Sequence, residues 1–341
     1  MRVDVVPIEN PEWCEFATSH PAGTIFHLPV WTSIIADCYR FNAFALTVRT
    51  GQGEIVAGVP IVEVRSPWGG VRWTSLPFSD VCPLLARPEA DLDDVVGTIR
   101  DYVITGPVRE LEVRGSLPST EDAHATHVGY HHRLRLPSDP SDLHPNKGHR
   151  YNRNLAKRAG VRVVQGSTAF DVMTYYRLHT LTRRRLGVPV QPRRFFDLIA
   201  ERLVTQGYGF VATAMLDGEA IASGLYLGHN GVLTAKFGAS DPAHRNTGAG
   251  SLCDWEVMVS ASREGQFHTL DFGRTDADAE GLRAYKSGWG AEETPLIYTQ
   301  ISRQAQGVTR PHVGALPQRI IQQSPTWVCR ALGEVLYRWS A

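Results

Sequence analysis

The stretch 208-YGFVATAMLDGEAIASGLYLGHNGVLTAKFGA-239 reads as three strands joined by two tight turns. Tyr208–Leu216, Ala220–Leu227 and Val232–Ala239 are the strands. Asp217-Gly218 and Asn230-Gly231 supply the positive φ angles of two-residue hairpins. An earlier stretch has the same design. Ala43–Val48, Glu54–Val64 and a strand starting at Val71 are separated by Thr50-Gly51-Gln52-Gly53 and Pro67-Trp68-Gly69-Gly70. Glycine and proline stand where turn dihedrals are needed. The two stretches also match in letters. Gly53-Glu54-Ile55-Val56-Ala57-Gly58 precedes Gly218-Glu219-Ala220-Ile221-Ala222-Ser223 by 165 residues, and Phe44 and Phe210 open the preceding strands. Matching turns with matching strings predict two copies of one domain.

Helices flank both meanders. Pro29–Tyr39 precedes the first, and Ala169–Leu186 and Arg193–Thr205 precede the second. In the last of these Phe195, Leu198, Ile199, Arg202 and Leu203 have helical spacing. After the second meander come a helix over Gly248–Arg263, a strand over Phe267–Phe272, a short helix over Ala279–Ser287 and a strand over Thr294–Ile301. The class is α+β, with mixed, mostly antiparallel sheets flanked by helices. Pro137–Pro145 is rich in Pro, Ser and Asp, so the boundary is placed there: residues 1–144 form one domain and 145–303 the other. The tail, 304–341, contains a helical pattern over Leu316–Ile321 and another over Trp327–Trp339. The second has an apolar face of Trp327, Ala331, Leu332, Val335 and Leu336. That face is expected to fold back on the first domain; a helix lying on a membrane surface is the other reading.

Composition narrows the class. The chain has 341 residues, 43% of them hydrophobic, which suffices for two cores. Lys+Arg and Asp+Glu are both 35, so only a local excess of charge can select an anionic partner. The five cysteines form no CxxC pair and read as reduced thiols. The N-terminus lacks the apolar core of a signal peptide, and no apolar run approaches the ~20 residues that span a bilayer. A cytoplasmic monomer is expected.

Three constellations carry chemistry. Between Leu143 and Phe196 there are twelve cations and one acid, Asp171. Lys147, Arg150, Asn154 and Lys157 share a helical face, as do Arg153 and Lys157, with Arg158 adjacent; such a face can neutralise backbone phosphates. Second, Arg245-Asn246-Thr247-Gly248-Ala249-Gly250 lies between a strand and a helix. There Gly248 and Gly250 would let backbone N–H groups approach a pyrophosphate at a helix N-terminus, beside Arg245. Third, Asp271-Phe272-Gly273-Arg274-Thr275 is followed by Ala284-Tyr285-Lys286-Ser287-Gly288-Trp289-Gly290.

The third constellation resembles the strand-end and helix motifs of the Fem-type (FemABX) aminoacyl-tRNA-dependent transferases, which have the N-acetyltransferase (GNAT) superfold. Lys147–Arg162 resembles that family's basic helix leading into a strand, and Thr74-Ser75-Leu76-Pro77-Phe78-Ser79-Asp80 its first-domain segment. The resemblance covers nearly the whole chain. It implies two tandem GNAT-like domains, an aminoacyl-tRNA co-substrate without a resident cofactor, and amide-bond formation onto an amine of a cell-wall precursor or specialised metabolite. Lys286 corresponds to the lysine that stabilises charge at the reacting ester, a contribution on the order of 3–4 kcal/mol. Tyr285 is a candidate to stack on the donor's terminal adenine, Arg274 to bind phosphate, and Asp80 to receive the amine proton. The chain departs from the family in having no helical arm insertion and in carrying Val81-Cys82-Pro83 after the first-domain segment. Its RxxGxG string is typical of acyl-CoA enzymes, which makes an acyl-CoA-dependent N-acyltransferase the alternative. A non-catalytic RNA- or polyanion-binding module is a third reading.

His124, His127, His131 and His132 read as a loop and lack the Cys or acidic partners of a zinc site, so no metal is assigned. No GxSxG nucleophile elbow occurs.

Overall fold

The structure is a computed structural model, and it describes residues 1–65, 70–106, 108–303 and 315–337. The Pro67–Gly69 part of the expected turn lies outside them. Two compact units divide the chain, one of Met1–Tyr130 with the stretch from Pro295, the other of His131–Thr294 with the C-terminal helices.

The first unit contains β1 (Arg2–Pro7), α1 (Pro11–Ser19), α2 (Pro29–Tyr39), β2 (Asn42–Arg49), β3 (Ile55–Arg65), β4 (Val71–Thr74), β5 (Leu85–Ala86), α3 (Leu92–Thr105) and β6 (Glu110–Val113). The chain leaves it within β7 (Ala123–Arg135). The second contains α4 (Lys147–Arg158), β8 (Arg162–Gly166), α5 (Ala169–Leu186), α6 (Arg193–Ile199), β9 (Gly209–Leu216), β10 (Glu219–His229), β11 (Val232–Ser240), α7 (Ala249–Glu264), β12 (Thr269–Thr275) and α8 (Glu280–Ser287). The chain leaves it within β13 (Glu292–Ser302) and returns with α9 (Ala315–Gln323) and α10 (Thr326–Leu336).

The expected duplication is visible in the strand pairing. In the first unit β1, β2, β3 and β4 are successive antiparallel neighbours and β4 pairs β6 in parallel. In the second β8, β9, β10 and β11 repeat that order and β11 pairs β12 in parallel. In each unit one helix, α3 or α7, lies in sequence between the meander and its parallel partner. Both parallel pairs are three residues long, Arg72–Thr74 with Glu110–Glu112 and Val232–Thr234 with Thr269–Asp271.

Local chemistry explains the element ends. The Thr168 side chain and Asp171 make a reciprocal capping box at the start of α5, and Gly187 closes it at φ 70°. Asn146 caps α4 by accepting from the His149 amide at 2.9 Å. The two copies diverge where packing demands it. A Cβ on Gly58 would lie 2.7 Å from the buried Trp13 ring, whereas Ser223 at the matching place donates to the Ala212 carbonyl at 3.0 Å.

Three expectations change. The Pro137–Pro145 segment belongs to the second unit, because Leu143 is buried in that unit's core with Leu134 and Val257. The tail packs on the second unit rather than the first: Gln318 donates to the Leu186 carbonyl, Cys329 to Val188, and Arg183 to the Tyr337 hydroxyl at 2.7 Å. Residues 304–314 and the Val335 and Leu336 side chains lie outside the described residues; Trp327 is 67% exposed, and among the described residues of α10 Cys329 and Gly333 are the buried ones. Finally, the four histidines of 124–132 lie on a strand. His132, Leu134 and Leu136 are buried while Arg133 and Arg135 are exposed, a period of two. Among the described residues no helix is long and apolar enough to cross a membrane.

His179, in α5, is buried between the Tyr175 hydroxyl and the Gln191 side-chain oxygen, each at 2.8 Å. The amide oxygen accepts from Nε2–H, so Nδ1 accepts from the tyrosine and the ring is neutral. Burial, against the Gln191 hydrogen bond and with help from the Arg183 charge, lowers its pKa to about 3. The unfolded chain takes up this proton below about pH 6.5 while the folded chain does not. The group therefore favours folding fully above pH 6.5, and that contribution is lost as pH falls from 6.5 toward 3, at no more than about 1.4 kcal/mol per pH unit. Urea melts of wild type and His179→Gln from pH 7.5 to 4.5 should show a shallower acid decline in the variant; parallel declines would exclude this source.

Candidate functional site

The three constellations of the second half meet around His149. This α4 residue is 4% exposed. Its Nε2–H donates to the Tyr285 carbonyl of α8 at 2.8 Å, and its ring stacks on Trp289 with centroids 3.8 Å apart. Its Nδ1 faces the Ser251 hydroxyl of α7 at 3.3 Å. Burial lowers the readiness of His149 to take a proton, against the Tyr285 carbonyl and the Asp254 charge. The Asn146 amide donates to the Gly288 carbonyl at 2.8 Å. A Cβ on Gly288 would sit 2.5 Å from Asn146 Nδ2 and 2.9 Å from His149 Nε2, so the motif glycine lets α8 touch α4.

Beneath this contact lies Asp254 of α7, which accepts from the Tyr285 hydroxyl at 2.6 Å and the Tyr226 hydroxyl at 2.7 Å. Burial raises the Asp254 pKa, and the two phenol hydrogen bonds oppose the rise. Tyr285, expected to stack on a base, has its hydroxyl on Asp254 and its ring edge-on to His149 at 4.7 Å. Its visible role is to lock α8.

Lys286 follows directly. It is 6% exposed, and its ammonium donates to the Gly273 carbonyl at 3.2 Å and the Arg274 carbonyl at 3.0 Å. The end of β12 is shaped for this. Gly273 has φ +65° and donates its amide to Asp271 at 2.7 Å. Burial alone would raise the Asp271 carboxyl, but the hydrogen bond and charge of His131, at 2.8 Å, together with the Gly273 amide hold it below the ordinary value. The Arg274 side chain turns to Asp276 rather than to open solvent.

On α4, Lys147, Arg150, Lys157 and Arg158 are exposed beside an exposed Tyr151; Lys157 is 3.0 Å from Glu256, and Arg153 lies over the Trp255 ring at 4.1 Å. Arg150 also donates to the Pro145 carbonyl at 3.0 Å, and on α5 Arg177 and Arg183 donate to the Ala220 and Pro189 carbonyls. Arg162, Arg185, Arg193 and Arg194 of the same run are exposed as well, so the exposed cations extend beyond α4.

In the RNTGAG string, Arg245 is exposed. Gly248 has φ +75° and a Cβ there would overlap the Asn152 carbonyl of α4, so the close approach of α4 requires a glycine. Around Gly250 there is open space, at the first turn of α7, whose Gly248 cap lends no side chain. Sequence reasoning missed Lys236. A register shift between Leu225 and Tyr226 makes it the extra residue of a bulge on β11, beyond the point where the β11–β12 pairing ends, and it is 8% exposed.

Asp80 lies in the first unit, at the end of a strained loop. Leu76 and Phe78 have φ 61° and 65°, unusual for residues with side chains. Such strain persists only where neighbours over-determine it. Here Trp31 donates to the Ser79 hydroxyl at 2.8 Å, Arg114 to the Ser79 carbonyl at 2.7 Å, and the Tyr298 hydroxyl to the Asp80 carbonyl at 2.7 Å. Arg114 and Tyr298, which no motif marked, also pair as cation over ring at 5.4 Å.

The two glycines of the string make separable predictions. Gly248→Ala should lower stability by roughly 1–3 kcal/mol, from overlap and a strained φ. Gly250→Ala should be neutral or stabilising by up to about 1 kcal/mol, since it is helical and unobstructed. Denaturant melts of the two variants check this; equal losses would contradict the assignment.

No curated protein sequence matches the chain. Residues 146–291 match the acetyltransferase (GNAT) domain family. Among solved structures, FemX is similar at 14% identity and TM-score 0.67, over 88% of this chain and 97% of that one. L-PGS from Bacillus licheniformis is similar at 12% identity and TM-score 0.55, over 97% and 98% of the two chains. A tandem GNAT protein from the clavulanic acid biosynthesis pathway is similar at 14% identity and TM-score 0.51, over 87% and 98%. The repeated strand order and the lysine-clamped strand end thus sit in a chain with the tandem GNAT-like, Fem-type fold, in which residues 146–291 match the acetyltransferase (GNAT) domain family.

Proposed function

We propose that the protein is an acyltransferase that moves an aminoacyl group from an aminoacyl-tRNA to an amine, forming an amide bond. The observation that carries this reading is the direct contact between an exposed cationic helix, α4, and the helix bearing Lys286, made by His149 and the Tyr285 carbonyl. A donor held by its phosphates on α4 would have its reactive end governed by a helix that α4 itself seats. The likeness to FemX supports the same reading.

In the reaction the amine lone pair attacks the ester carbonyl carbon, and a C–N bond forms. Negative charge develops on the carbonyl oxygen, and the Lys286 ammonium is the group proposed to stabilise it. The C–O bond to the terminal ribose then breaks, and the ribose hydroxyl leaves with the proton released by the amine. Binding on α4 supplies proximity, so the chemistry needs no covalent enzyme intermediate.

Filter retention of labelled aminoacyl-tRNA at several salt concentrations tests the donor. Retention should weaken with salt, and each of Lys147→Glu, Arg150→Glu and Arg158→Glu should reduce the log–log slope by about 0.7–0.9 for each phosphate it ceases to neutralise. Lys286→Ala should leave retention intact and lower transfer by about 10²–10³-fold. Product formation that survives RNase treatment of the donor would sink the tRNA reading.

A second reading, acyl-CoA as donor, is favoured by one observation: the open space at Gly250, at the start of the 16-residue α7, where Gly248 lends no capping side chain and Arg245 is exposed nearby. Helix N-termini attract phosphate. Saturable binding of a CoA thioester, lost in Gly250→Glu but kept in Gly250→Ala, would move the assignment to this donor.

A further inference from the structure

His132 is 0% exposed on its side chain and is not used by the chemistry above. Its Nε2–H donates to the Glu293 carboxylate at 3.0 Å, and its Nδ1 faces the Thr275 hydroxyl at 3.4 Å. Thr275 ends β12, immediately after the Gly273 and Arg274 carbonyls that hold the Lys286 ammonium. Glu293 is in turn gripped by both ends of the Arg283 guanidinium, at 2.7 and 2.9 Å. Arg283 and Lys286 are on the same short helix, α8.

We propose that His132 is a positioning residue for Lys286: seated between Glu293 and Thr275, it secures the strand end whose carbonyls seat the ammonium. The inference rests on Lys286 being the charge-stabilising group of the reaction.

The charged groups facing His132 can be named element by element. Glu293 approaches from β13, Lys286 and, through Glu293, Arg283 from α8; on β7 itself the neighbouring His131 is turned to Asp271. Burial first and Lys286 second disfavour protonation of His132, while Glu293 favours it. The hydrogen bond from Arg283 and its charge hold the Glu293 carboxylate below its ordinary value. The neutral imidazole fits its partners, with Nε2–H given to Glu293 and Nδ1 left to accept from Thr275. A protonated ring would lose that acceptor and put a second cation beside Lys286. The working form is therefore lost as pH falls, and the acid limb of turnover lies below the ordinary imidazole value of about 6.5.

Two substitutions should move this limb in opposite directions. Arg283→Gln leaves the Glu293 charge uncompensated, which favours protonated His132 and should move the limb up by about 0.5 pH unit or more. Glu293→Gln removes the attraction and should move it down. Turnover at saturating donor is measured against pH for wild type and both variants, with kcat affected and donor KM unchanged. In parallel, NMR follows the His132 ring and the Lys286 Nζ signal through the same titration. Opposite shifts of the limb, tracked by His132 and felt at Lys286, support the proposal. Coincident limbs in the three proteins, or a Lys286 signal blind to His132, overturn it even if the enzyme is active. Titrations that move as stated in a protein that transfers no acyl group from any donor would keep the coupling and refute the functional reading.

Discussion

Three helices of the second unit are fastened at one buried imidazole. Because the His149 ring is stacked on Trp289 and spent on a backbone carbonyl and a serine hydroxyl, α4, α7 and α8 cannot shift independently. The placement of α4, α7 and α8 in the second unit hangs from this junction. The cations of α4 point outward because the opposite side of the helix is taken up by His149 and Ala156. The start of α7 is set against α4 because Gly248 has no side chain to hold the two apart. Lys286 is aimed because Tyr285, one residue earlier, is fixed by Asp254. Taking a carboxylate partly out of water is costly unless it is hydrogen-bonded, and two phenol donors at 2.6 and 2.7 Å satisfy the half-buried Asp254.

The sheet contributes the second half of the arrangement. β11 and β12 pair for three residues and then end their register, after which Gly273 turns β12 through a left-handed conformation. The carbonyls of Gly273 and Arg274, beyond the three residues paired to β11, accept from the Lys286 ammonium. That is the physical content of the DFGRT string. Asp271 holds the turn, Gly273 makes it, and Thr275 anchors its far side through His132. The adjacent histidines on β7 serve opposite faces of the strand, His131 through Asp271 and His132 through Glu293, as the period of two requires.

The first unit repeats the strand order but not the chemistry. Its parallel pair is equally short, yet its polar investment is in the Ser75–Asp80 loop, where two residues with side chains are forced to positive φ and pinned by Trp31, Arg114 and Tyr298. The likeness of tandem GNAT structures to this chain shows the architecture; the unequal sites are particular to its residues.

Much of this was legible in the sequence. Asn230-Gly231 and Asp217-Gly218 dictated their hairpins because positive φ is a local requirement, and the helix patterns over Pro29–Tyr39 and Ala169–Leu186 coincide with α2 and α5 because caps and periodicity are local too. The repeated GEIVAG-like string foretold the duplicated strand order. What the sequence could not determine is which polar groups find each other across it. His131 and His132 looked like a loop, although the alternation of His132, Leu134 and Leu136 was a strand signal in plain view. Which arginines face solvent and which, like Arg150, Arg177 and Arg183, hold carbonyls depends on which helix face is covered. So does the tail, whose Trp327 faces outward while Cys329 packs on the second unit. Turn chemistry and periodicity act over a few residues and so are written in order along the chain. Hydrogen bonds between Tyr285 and Asp254, or His132 and Glu293, join residues 31 and 161 positions apart, and only the packed chain decides them.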